Sequence, residues 1–256
     1  MPGRYPTDFF EFLLRLGDDA LILGHRLSEW CSYAPTLEED LALANIALDC
    51  IGQASALLAF AADVEGNGRT ADRLAYFRNS REYRSSIIFE LPHGHDFAFT
   101  IAQQVLVDAF RYLHFETLAG CTDSRLAGIA AKASKETAYH LRHSSSWAIR
   151  LGDGTDESKT RIQQAFVLLT PFAGELFVDD DVESRLAAQG LACSRSKLKD
   201  RWNEIVSEVF KQATLRVELT SSGTRNVGWQ GQHTEHLESL LSEMQSVARA
   251  HPGATW

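Results

Sequence analysis

No cysteine pair in this sequence is spaced C-x-x-C. Cys31, Cys50, Cys121 and Cys193 stand far apart, which leaves neither a zinc knuckle nor a dithiol redox pair and points to free thiols. Proline is scarce, 6 in 256 residues, and no low-complexity tract occurs, so disorder is expected only at the ends. Basic residues are outnumbered, 25 Lys and Arg against 34 Asp and Glu, and a net charge of −9 argues against a chain that grips a phosphate backbone. The nucleophile elbow G-x-S-x-G, the phosphate loop G-x-x-x-x-G-K and the zinc-protease HExxH are all missing. Hairpin dipeptides between alternating apolar runs are missing too, which leaves little room for a sheet. The start, MPGRYPTDFF, lacks a basic region followed by an apolar run. With the free thiols, that gives the expectation of a cytoplasmic protein.

What is present is helical periodicity. Thr36 followed by Glu39 has the form of a capping box, and the apolar-rich run from Leu37 to Val64 breaks at Gly66-Asn67-Gly68, a helix of about seven turns. Upstream, Leu21, Ile22, His25, Leu27 and Trp30 predict a helix over Asp18 to Trp30, joined by a link short enough to make the two antiparallel neighbours. After a shorter segment, Arg81 to Leu91, and the break Pro92-His93-Gly94-His95, the residues Ile101, Val105, Asp108, Tyr112 and Phe115 form one stripe of a helix from Phe97 to Ala119. Asp123 can cap a further helix, Ser124 to Leu151, which stops at Gly152-Asp153-Gly154.

The expected architecture is an all-α single domain, 1–256, with a four-helix bundle core over about 17–152. Peripheral helices are expected over about 157–250: Glu157 to Phe177, Ser194 to Val217 and His233 to Ala250, separated by Asp179-Asp180-Asp181 and by SSGTRNVGWQGQ. They would wrap the bundle or reach a partner. The stretch from Gly223 to Trp256 suits either a partner contact or a tail docked on its own chain. Leu41 to Ala62 is long and apolar enough to raise the question of a membrane span. Asn45, Asp49 and Gln53 fall on one of its faces, where lipid would penalise them, so a buried bundle helix is expected and no membrane.

A helical bundle raises the possibility of a two-iron centre, which is held by inward carboxylates and two Glu-x-x-His elements. Of the 9 histidines only His93 has a glutamate three residues before it, Glu90, and Pro92 would break the helix that the geometry needs. The segment KETAYHLRHS comes near the motif and misses by one: Thr137, not Glu136, stands three before His140. Other histidine groups have plainer roles. His93-x-His95-Asp96 reads as a polar turn whose aspartate caps the next helix. His233 and His236 suit a cap or an interface better than zinc. Of His140 and His143, one is expected inward and one exposed. Cys50 and His140 could form a nucleophile pair, but a cysteine in an apolar helix is ordinarily inert packing.

The segments LEEDLALANIALDCIGQA, KETAYHLR, LGDGTDES and GQHTEHLESLLSEMQ, with the closing HPGATW, resemble one family in one order along nearly the whole chain. It is the C-subunit family of the bacterial phenylacetyl-CoA epoxidases. The resemblance implies a ferritin-like helical subunit with no cofactor of its own. It also implies a homologous catalytic A-subunit that carries a di-iron centre, a small B-subunit, and a reductase that uses NADPH.

Set against the ligand pattern of the catalytic A-subunit, the resemblance places Glu29, Asp108 and His140 at ligand positions and puts Cys50, Gln53 and Thr137 where the other Glu and His ligands would stand. The implied site is degenerate, with no metal expected. Glu29 and Asp108 should then be neutralised by His140 or a nearby arginine, because a lone buried carboxylate is costly. Two alternatives stay open. One is an active di-iron oxidase in which His140, His143 or His114 makes up the missing imidazole, and the other is a free-standing helical binding module. Arg81, Arg84, Arg142 and Arg150 could attract the phosphates of a CoA thioester, but solvated helix faces explain them equally well, and no ligand residue is assigned.

Overall fold

A computed structural model of the protein describes residues 7–219 and 228–254. Its α-helices are α1 (Thr7–Ser28), α2 (Leu37–Glu65), α3 (Ala71–Tyr76), α4 (Ile87–Glu90), α5 (Phe97–Leu118), α6 (Ser124–Gly152), α7 (Asp156–Ala173), α8 (Asp181–Ala188), α9 (Lys199–Gln212), α10 (Glu235–Met244) and α11 (Ser246–Ala250). The chain is 75% helical with no strand among the described residues, so the all-α class stands. It divides into two compact units, one from Met1–Pro92 with Asn226–Trp256 and the other from His93–Arg225.

In the first unit α1 starts at Thr7, eleven residues before the expected Asp18. The reason is packing: Phe9, Phe12, Leu13 and Leu16 extend the apolar stripe of Ala20, Leu23 and Leu27, and all are buried. Each such side chain contributes ~1.5–3 kcal/mol, more than a typical cap at ~1 kcal/mol, so burial sets where this helix begins. Gly17 is no helix stop. A Cβ there would lie 2.8 Å from Leu58 Cδ2, and one at Gly24 would lie 2.9 Å from Ile51 Cδ1 and 3.1 Å from Ala47 O. The two glycines let α1 and α2 approach closely, and the pairings 17 with 58 and 24 with 51 run in opposite directions, as antiparallel neighbours require. α2 keeps its predicted ends. Thr36 accepts from the Glu39 amide at 3.4 Å, and Gly66 closes the helix at φ 70°.

Polar side chains buried on α1 organise the segment 71–91, where the sequence offers only a shorter segment over Arg81 to Leu91 and which folds as α3, α4 and a 3-10 turn at Ser80–Glu82. Asp18 pairs with Arg78, both buried, and accepts from the Arg84 amide at 2.8 Å, while Asp19 accepts from the Ser86 amide at 2.8 Å. The C-terminal stretch docks on the same frame. Trp229 Nε1 donates to Ser86 Oγ at 2.9 Å beneath the Arg15 guanidinium, and Gln245 Nε2 donates to Arg78 O and Tyr83 Oη, each at 2.9 Å. For residues 228–254 the docked-tail alternative is therefore realised. The first part of SSGTRNVGWQGQ, residues 221–227, lies outside the described residues.

In the second unit α5 and α6 pair antiparallel, with Phe97 against Trp147 at 5.1 Å between ring centres near one end. Asp96 caps α5 by accepting from the amides of Ala98 and Phe99, and Asp123 caps α6 by accepting from those of Arg125 and Leu126, both as predicted. α7 and α9 belong to this unit's core rather than to an outer layer. Phe166 meets Phe210 at 4.6 Å, and Trp202 Nε1 donates to Leu106 O at 2.9 Å in the interior. At Gly152 a Cβ would stand 2.1 Å from Ala213 O, so α6 can end there only on glycine. α8 is an addition to the expected elements. Asp180 caps it, and its Glu183 reaches Arg195 at 2.7 Å in a pair with no exposed side-chain surface.

Candidate functional site

The positions singled out by the resemblance fall three in each unit, Glu29, Cys50 and Gln53 in the first and Asp108, Thr137 and His140 in the second. Each group is built by an antiparallel helix pair.

On α5 and α6 the second group lies within an apolar interior. Asp108 is 0% exposed. The Arg111 guanidinium stands 3.9 Å from Oδ1, too far for a hydrogen bond, and no donor among the described residues bonds that oxygen. Burial raises the Asp108 pKa to about 7, against the lowering pull of Arg111 and of the Ser144 hydroxyl. The expected nearby arginine is present as Arg111, at ion-pair distance, and burial adds a partial share of bound proton near neutral pH. Ser144 has one hydroxyl proton and two oxygens at 3.3 Å, Asp108 Oδ2 and Leu141 O. The Ser144 hydroxyl donates to Asp108 Oδ2, the bond that opposes the rise caused by burial.

Thr137 is fully buried and spends its hydroxyl on its own helix, at 2.8 Å from Ala133 O and 3.2 Å from Ser134 O. That back-bond satisfies the group where a ligand carboxylate would have to reach inward. His140 is fully buried, as the inward half of the expectation required, whereas His143 is half-buried rather than exposed. His114, the other imidazole considered as a substitute ligand, is buried, and its pKa is held well below the usual histidine range by burial and by the Arg195 charge. A fixed guanidinium beside it disfavours a cation there.

Sequence reasoning missed two further members of this cluster. Gln104, one turn before Asp108, is 0% exposed, and both of its amide atoms lack hydrogen-bond partners among the described residues. Ser144 lies one turn after His140. The available signal was polar residues at four-residue steps, 104 and 108 on α5 and 140 and 144 on α6, inside otherwise apolar stripes.

In the first unit Glu29 stands in the turn just beyond α1, not within the helix, and pairs with Arg26 at 2.7 Å. Here the expected arginine neutralisation holds. Cys50 is 0% and Gln53 4% exposed, both on α2. All four cysteines are free, with Cys31 exposed.

Within neither unit do three His, Cys, Asp or Glu side chains among the described residues gather closely enough to hold a metal ion. The other histidine groups take structural roles. Asp96 caps α5, and His95 donates its backbone N–H to His93 Nδ1 at 3.0 Å, so HGHD is a polar turn. His233 uses both ring nitrogens, Nδ1 with Glu90 Oε2 at 2.8 Å and Nε2 with Tyr83 O at 3.1 Å, which makes it a tail clasp rather than a zinc ligand. Among the arginines considered for CoA phosphates, Arg84 is tied to Glu11 at 3.0 Å, and Arg142 and Arg150 stack on Tyr139 and Trp147 of their own helix.

The model of one family, described as phenylacetic acid catabolic protein, matches residues 1–256. The chain belongs to that family. Over 245 residues it is 44% identical to the C-subunit of the 1,2-phenylacetyl-CoA epoxidase of Escherichia coli (strain K12), an alignment that takes in 96% of this chain and 98% of the relative. The resemblance drawn from LEEDLALANIALDCIGQA, KETAYHLR and the closing segments therefore extends over the full length, and the helical bundle observed fits the phenylacetic acid catabolic protein family.

Proposed function

We propose that this chain is a structural, non-catalytic component of a phenylacetyl-CoA epoxidase of aerobic phenylacetate breakdown. It would pair with a homologous catalytic A-subunit that holds the di-iron centre and would support the CoA-thioester site of that partner. A small B-subunit and an NADPH-using reductase complete the proposed assembly, and its location is cytoplasmic. The observation that carries the reading is the state of α5 and α6. Where a di-iron site needs a carboxylate one turn before the α6 histidine, Thr137 stands instead and bonds its own helix. An uncharged hydroxyl spent on its own helix does not supply the second carboxylate that a pair of iron ions needs there, so no redox step is assigned to this chain. Its own residues hold the bundle: Gly17 and Gly24 set the α1–α2 spacing, and the Asp18–Arg78 and Glu90–His233 pairs fix segment 71–91 and the tail.

The test is co-expression with the catalytic homologue followed by size-exclusion chromatography and iron analysis of each chain. A stable complex with iron confined to the partner is expected. Close to two iron atoms bound by this chain alone, with oxygen-dependent bleaching of a ferrous colour, would establish the di-iron oxidase alternative. Failure to bind the catalytic homologue at all would favour a free-standing helical module.

A further inference from the structure

Away from the degenerate positions, the first unit carries a half-open cavity of about 920 Å³ between α1, α3 and the C-terminal stretch, lined by residues that include His25, Arg73, Tyr76, Phe77, Met244 and Ala248. Its size is that of small-molecule sites, and its lining has their character, an apolar wall with a few convergent polar groups. Phe77, Met244 and Ala248 supply the wall. The Arg73 guanidinium lies 4.4 Å over the Phe77 ring, which holds an exposed cation at a fixed place beside an aromatic surface. The His25 and Tyr76 rings meet edge to face at 6.1 Å, and His25 Nε2 has no hydrogen-bond partner among the described residues. Thr70 accepts from the Arg73 amide at 3.2 Å, which leaves its hydroxyl proton free to donate.

We infer that this cavity binds a flat aromatic monocarboxylate, with the ring system against Phe77, Met244 and Ala248 and the carboxylate on the Arg73 guanidinium. One guanidinium matches one negative charge, and the neighbouring His25 and Tyr76 are neutral donors. Burial outweighs the opposing pull of Glu29 in lowering the His25 pKa, and burial with Asp72 raises that of Tyr76, so near neutral pH the imidazole is uncharged and the phenol keeps its proton. Asp72 sits one residue before Arg73, about 100° further around α3, and would repel a second negative charge, which selects against phosphorylated ligands. The inference concerns the isolated chain and stands whether or not the epoxidase reading holds.

The experiment is a titration of the purified full chain with naphthylacetate, followed by isothermal calorimetry and by the probe's fluorescence polarisation, with neutral naphthylacetamide as control. Saturable binding at micromolar to low millimolar concentration is expected, weakened about tenfold for the amide and for Arg73→Ala. Ala248→Trp, which fills the apolar wall, should abolish binding with the melting temperature unchanged. No saturable binding, equal affinity for acid and amide, or full affinity in both variants overturns the inference. If Ala248→Trp fails to fold, Arg73→Ala, at an exposed position, decides the outcome by itself.

Discussion

Among single residues, Asp108 carries the clearest consequence. Its pKa is raised in the folded chain from 3.8 to about 7, so the folded state holds a proton that the unfolded state releases at lower pH. Stability from this group is complete below the unfolded value and falls as pH rises through the folded one, by on the order of 4 kcal/mol if the full shift is realised. Asp108→Asn keeps the shape and removes the charge. It should be more stable than the parent by about 1–3 kcal/mol above pH ~7.5 and near parity below pH ~4, as measured by urea unfolding across that range. A parent protein whose stability does not change between these limits would show that Asp108 is not held neutral. The place of Asp108 in a helical stripe is legible from periodicity. The state of its carboxyl is not, because that depends on side chains far away in sequence that exclude water from it.

Among whole elements, two contacts make opposite demands on small and charged residues. Gly152 ends α6 against the backbone of Ala213, where a Cβ would come within 2.1 Å of the carbonyl oxygen, and backbone cannot give way as a side-chain end can. Gly152→Ala should cost about 1–3 kcal/mol or more in thermal unfolding, whereas Gly128→Ala on the same helix, with open space around it, should stabilise by about 0.4–1 kcal/mol. The tail clasp is charged. Burial lowers the His233 pKa, but the hydrogen bond and charge of Glu90 outweigh it and raise the value above 6.5. The clasp is therefore at full strength below the unfolded value and weakens as pH rises through the raised one. Protease cleavage near residue 228 should accelerate from pH ~6.5 upward in the parent and become pH-independent and fast in Glu90→Gln. Most of these elements are legible in the sequence. The caps at Thr36, Asp96 and Asp123 and the stop at Gly66 are local signals, and they place α2, α5 and α6 within a residue or two. The start of α1 carries a local signal as well, Asp8 followed by Glu11 in a capping pattern, and the burial of Phe9 and Phe12 secures the helix there. α8 hides behind Asp179-Asp180-Asp181, where Asp180 followed by Glu183 is a cap signal inside a run that otherwise has the composition of a loop.

For the molecule as a whole, α2 is long and apolar enough by composition to cross a membrane, and 44% of its most apolar window is buried inside the protein. Gln53 is buried mid-helix and Asp49 half-buried, which suits a protein interior better than lipid. The expected outcome is a chain that stays in the supernatant after ultracentrifugation without detergent; recovery in the membrane pellet would contradict this.

The helical class, most helix ends and, by simple counting, the lack of paired Glu-x-x-His elements follow from the order of residues alone, because periodicity, capping and motif spacing are properties of neighbours along the chain. It took the folded arrangement to establish that burial raises the Asp108 pKa, that Glu29 lies past its helix on Arg26, that Gly152 tolerates no side chain and that residues 228–254 dock on α1 and segment 71–91. Each of these depends on what excludes water from a group or occupies the space beside it, and those neighbours come from distant parts of the chain.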